Sequence, residues 1–155
     1  MFSFLRRKKE EEKAGITVYM SEPTLLYNTK TEKDCIGIIE KHLAPGKIIV
    51  PSKYGLRPTE HLIDESDVFV AIAIVGKLTS GVVREIERAQ SLKKKIYTLE
   101  IARKGDHLEY ALIEDVPDEL EKLSPEQTKE FYDEFRVEDL PKLSDLFFGS
   151  RKSGW

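Results

Sequence analysis

SDVFVAIAIVGKLTSGVVREIERAQSLKKKIYTLEIA, residues 66–102, decides how the chain is read. Its first third, DVFVAIAIVG, is the most apolar stretch in the protein and has the composition of a strand buried on both faces. KLTSG then breaks the run. VVREIERAQSLKKK alternates apolar and charged residues at helical spacing, and KIYTLEIA is again β-forming. Strand, helix and strand in that order make a βαβ unit, which requires a parallel sheet.

The pattern extends in both directions. ITVYMSE (residues 16–22) reads as the first strand, followed by the loop PTLLYNT. Residues 31–43 read as a helix with Cys35, Ile36, Ile38, Ile39 and Leu43 inward, Thr31 and Asp34 resembling a cap, and APG as the stop. KIIVPS is expected to be a short strand buried on both faces, and residues 59–65 one or two helical turns. RKGDHLEYALIEDV is expected to be a turn with a further strand or an irregular arm. Ser124, Pro125 and Gln127 form a helix start of the Ser-x-x-Gln type, for a helix running to about Phe135. The expected fold is therefore α/β, a Rossmann-like or flavodoxin-like three-layer sandwich with a mainly parallel sheet. Residues 15–155 would form one domain, with a helical extension from about residue 118. Residues 1–14, MFSFLRRKKEEEKA, stand apart as a flexible arm. Its other reading is a reversible membrane-surface contact through Phe2, Phe4, Leu5 and the basic cluster.

Composition excludes several classes. With 25 basic and 28 acidic residues among 155, the net charge of -3 argues against a nucleic-acid-binding surface. The single cysteine, Cys35, leaves neither an internal disulfide nor a multi-cysteine metal site, and reads as a small apolar core residue. No apolar run is long enough for stable membrane insertion, and a cytoplasmic location is expected.

In a doubly wound sheet ligands bind beyond the carboxyl ends of the strands. That directs attention to YMSEPTLLYN, PSKYGLRPTEH and GKLTSGVVRE. Ser80 at the start of the central helix is either an ordinary N-cap or, with Thr79 and Gly81, part of an anion site. Neither nucleotide-binding glycine fingerprint is present. Glu85 stands three residues after Val82 and four before Ala89, on the flank that should meet the core, whereas Arg84, Glu87, Arg88 and Lys94 lie outside. It is either a partly desolvated functional carboxylate or the i,i+3 partner of Arg88.

Three stretches, VYMSEP, SDVFVAIAIVGKLTSGVVREIERA and KKIYTL, resemble the nucleoside 2-deoxyribosyltransferase superfamily, including its 2'-deoxynucleoside 5'-phosphate N-hydrolases, over roughly residues 16–102. Gly81 and Glu85 have that family's Gly-to-Glu spacing, and EIERA matches its Glu-apolar-x-x-Ala. The resemblance implies that Glu85 is a nucleophile toward the anomeric carbon of a sugar. It places Tyr19 near sugar and nucleophile, Glu60 where an acidic residue positions or protonates the base, and Ser21, Thr79, Ser80 and Gly81 as ligand-binding residues. The implied partner is a small-molecule nucleoside or nucleotide, with no cofactor and no metal. Glu22, in the loop after the first strand, would set a negative charge near a phosphate and so favour an uncharged nucleoside, a different ligand or no catalysis. A non-catalytic sensor of a nucleotide derivative on the same scaffold is the alternative. Self-association into a homo-oligomer is also expected, because family members place a second subunit's residue at the pocket rim. The apolar tail Leu140, Leu143, Leu146, Phe147 and Phe148 is suited to such a partner.

Overall fold

A computed structural model describes residues 15–134 except 56 and 106. The N-terminal arm and the apolar tail beyond residue 134, on which two of the expectations fall, lie outside these residues. The strands are β1 (Thr17–Ser21), β2 (Lys47–Ile49), β3 (Val68–Ile74), β4 (Lys77–Leu78), β5 (Lys95–Lys104), β6 (His107–Glu114) and β7 (Glu121–Lys122). The α-helices are α1 (Lys30–Leu43), α2 (Ser80–Ser91) and α3 (Pro125–Glu134).

β2, β1, β3 and β5 run parallel, side by side in that order. β6 returns antiparallel along β5. The chain therefore forms the expected α/β sandwich with a mostly parallel mixed sheet. In this order the winding reverses between β1 and β3, and the crevice at such a reversal is the ordinary ligand site of the architecture. At the carboxyl end of β3 the chain turns back through Val75 and Gly76, both at positive φ, 43° and 80°. A β-branched residue in that region is strained. The turn pairs Ile74 with Lys77, and β7 then adds to β4.

Each face of the sheet has its own core. On one side Val18, Met20, Val70, Ile72 and Leu99 pack with Cys35 and Ile39 of α1 and Phe131 of α3. On the other, Tyr19, Phe69, Ala71 and Ala73 pack with Val82, Ile86 and Ala89 of α2. The alternation along β1 thus sends Met20 toward α1 and Tyr19 and Ser21 toward α2.

Two local expectations are corrected, the cap of α1 and the burial of β2, and three others are met. α1 is capped by Thr29, whose side chain accepts from the Glu32 N–H, rather than by Thr31 and Asp34. Thr31 is buried instead, at 3% exposure. β2 is three residues long and lies outermost beside β1, with Lys47 exposed, so it is not buried on both faces. The turns at residues 59–65 form a single 3-10 helix, Glu60–Ile63. β6 is a full strand. The Ser124–Gln127 box forms reciprocally: Ser124 N–H donates to Gln127 Oε1 at 2.9 Å, and Gln127 N–H to Ser124 Oγ at 3.1 Å.

Candidate functional site

Glu85 sits on the second turn of α2, facing the end of β1 across the β1/β3 reversal. Ser21 donates its hydroxyl to Glu85 Oε1 at 2.7 Å. Tyr19 donates to Oε2 at 3.0 Å. Both carboxylate oxygens are therefore held by neutral hydroxyls two residues apart on one strand face. The Tyr19 oxygen also hydrogen-bonds Thr59 Oγ1 at 3.0 Å, and its ring stacks on Phe69 with centroids 5.8 Å apart. The Tyr19 ring is fully buried, which fixes where its hydroxyl points.

The ion pair of Glu85 with Arg88 does not form. Arg88 turns to Asp64, giving two hydrogen bonds of 2.9 and 2.7 Å. Glu85 is half-buried with no salt-bridge partner among the described residues. Its pKa lies above the ordinary carboxylate value, chiefly because burial penalises the charge. The hydrogen bonds from Ser21 and Tyr19 pull it back down, and the nearby charge of Glu60 pushes it up again. Tyr19 is raised as well, by its burial and then by Glu85, so it donates and does not ionise.

The other expected residues are distributed less simply. Glu60 pairs with Arg84 at 3.3 Å, and it is Thr59, not Glu60, that contacts Tyr19. Thr79 is the N-cap of α2 in place of Ser80, but it is buried and makes no side-chain cap. Ser80 is the first helical residue, and its N–H donates to Thr128 Oγ1 of α3 at 2.8 Å. Part of the anion-binding end of α2 is thus occupied by the protein itself. At Gly81 a Cβ would meet nothing within 4 Å, so that position borders open space.

Glu22 differs most from expectation. It is 7% exposed, faces Glu32 and has no donor to either oxygen from another described group. Burial, and then Glu32, pushes its pKa up to about 10. Glu22 therefore keeps its proton at neutral pH and brings no negative charge toward a phosphate. Tyr27 lies within electrostatic reach of Glu22 and Glu85, and burial followed by these charges pushes it up to about 12. Cys35 is buried and its thiol raised, first by desolvation and then by Glu22, as suits a packing residue.

Sequence reasoning missed Thr59 as the support of Tyr19, and also Tyr27 and Thr128. The Tyr19–Thr59 contact spans 40 residues and the Ser80–Thr128 contact 48, with no local pattern to announce either. Among the described residues no group of His, Cys, Asp or Glu side chains could hold a metal ion. No helix among them is long and apolar enough to cross a membrane. No family model matches the chain, and no curated protein or solved structure matches it either.

Proposed function

We propose that the protein cleaves or transfers the N-glycosidic bond of a nucleoside or nucleotide, with Glu85 as nucleophile. The observation that carries this reading is the Tyr19–Ser21–Glu85 constellation. It is a half-buried carboxylate with no salt-bridge partner among the described residues, oriented by two hydroxyls at the reversal point of the sheet. A structural carboxylate on α2 would sit better against Arg88, and that arginine is committed to Asp64. The resemblance over residues 16–102 supports the same assignment.

The chemistry follows the retaining-glycosidase scheme. One Glu85 oxygen attacks the anomeric carbon as the carbon–nitrogen bond breaks. The base leaves with that electron pair and takes a proton from water. Water or a second base then attacks the same carbon and frees Glu85. Tyr19 and Ser21 hold the carboxylate in place and favour its charged form against the effect of burial, so that it is aimed before the substrate arrives. Gly81, with open space beside it, and Glu60 would border the entrance. With Glu22 neutral, the β1–α1 loop gives no electrostatic reason to prefer a nucleoside over its monophosphate. The protein would act in the cytoplasm as a homo-oligomer.

The test is incubation with deoxynucleosides, their 5'-monophosphates and NAD while free base is followed. Release that persists unchanged in Glu85→Gln removes Glu85 as nucleophile. Absence of release from every substrate removes the enzyme reading and leaves a nucleotide-derivative sensor.

A further inference from the structure

α3 lies outside the stretch that carries the resemblance, yet it touches both segments that build the crevice. At one end Thr128 Oγ1 accepts from the Ser80 N–H, the first amide of the helix that carries Glu85. One turn further on, the Tyr132 oxygen accepts from both the N–H and the hydroxyl of Thr24, at 3.0 and 3.2 Å. Thr24 is three residues beyond Ser21, which holds Glu85. Tyr132 also lies close enough to Tyr27 to perturb it, and Tyr27 in turn feels Glu85. Phe131 anchors the helix in the α1-side core, whereas Glu126, Gln127, Lys129, Glu130 and Asp133 are exposed.

We propose that α3 is a releasable strap over the mouth of the Glu85 crevice, latched by Thr128 to the start of α2 and by Tyr132 to the β1–α1 loop. Each latch is a neutral hydrogen bond between a side chain and an exposed or part-buried main-chain amide, a contact that breaks at low cost when water can replace it. Thr128 also places its hydroxyl on the amide that an incoming ligand oxygen would use at the helix start. Ligand entry and release of this latch therefore compete for one N–H group. Release of the latches lets α3 tilt about Phe131, which stays in the α1-side core, while Glu85, Tyr19 and Ser21 stay on rigid elements.

The inference rests on the Glu85 crevice being the functional site, but its test needs no turnover. The full chain is treated with a water-soluble carbodiimide and glycine ethyl ester, and labelling of individual carboxyls is followed by peptide mass spectrometry. In Thr128→Val with Tyr132→Phe, Glu85 is expected to label roughly fivefold faster for each latch removed. Glu87, exposed on the same helix, should label as in the wild type. Thr128→Ser keeps the hydroxyl and should restore the slow rate at that latch. Unchanged Glu85 labelling in a variant with native circular dichroism overturns the strap, as does equal acceleration at Glu87. If the double variant does not fold, Tyr132→Phe alone decides by the same comparison. A labelling contrast without base release from any substrate keeps the strap and removes the enzyme reading, so the two failures are distinguishable.

Discussion

Glu85 is held by two hydroxyls and opposed by its own burial, and the balance sets how it works. Replacing it with Gln keeps the shape and one acceptor oxygen but removes the proposed nucleophile. Base release is expected to fall by roughly three orders of magnitude or more, read as kcat on the best substrate of the panel. Tyr19→Phe acts through the pKa. The tyrosine hydroxyl favours the ionised carboxylate, so its loss raises the Glu85 pKa further and moves the acid limb of the pH–rate profile upward. An unmoved acid limb would mean that the contact is structural only. Glu22 acts on stability in a definite direction. Unfolded, it ionises near 4.5; folded, it holds its proton to about 10. Between those values the native state binds more protons, so stability declines as pH rises, with a slope of up to about 1.4 kcal/mol per pH unit. Thermal melts from pH 5 to 9 should show this fall in the wild type and a flatter profile in Glu22→Gln. The flank position of Glu85 was legible because Val82 and Ala89 lie three and four residues away on the same helix. The choice of Ser21 over Arg88 as its partner was not, because Arg88 is three residues away on the same helix whereas Ser21 reaches the carboxylate only once β1 is placed.

The helices show where local pattern suffices and where it fails. Ser124 and Gln127 are three residues apart, and their reciprocal bonds need nothing from the rest of the chain. At α1 two threonines competed for the cap. Thr29 took it and Thr31 was drawn into the core, an outcome decided by packing against the sheet. Thr29→Ala is accordingly expected to cost about 1 kcal/mol in urea unfolding, the usual loss for an N-cap hydroxyl. α2 carries no side-chain cap of its own, and the Thr128 hydroxyl receives its first amide from another helix. Such a substitution cannot be read from α2, since the donor and the acceptor belong to elements with three strands between them. β2 differs from its expectation for a related reason. Its apolar residues fit a central strand, but three residues at the border of the sheet leave Lys47 exposed.

Across the whole molecule, β3 carries the architecture, paired along its whole length with β5 and from Val68 to Ala71 with β1. Its amides from Val70 to Ala73 are expected to exchange slowest of all in native-state hydrogen exchange. Those of α3 should exchange far sooner, since it meets the core through Phe131 and Tyr132 on one face and is exposed along the other. Light scattering tests the proposed self-association, and a monomer at micromolar concentration would oppose it. By itself the sequence determined the order of strands and helices, the parallel sheet that this order compels, and the flank on which Glu85 stands. These follow from periodicity and from neighbours within a few residues, which act before the chain has folded. Tertiary structure alone decided that Tyr19 and Ser21 grip Glu85, that Thr59 steadies Tyr19, that Glu22 is neutral opposite Glu32, and that α3 closes on α2. Each of these depends on distances between distant segments and on the desolvation that their meeting produces, quantities that no local pattern contains.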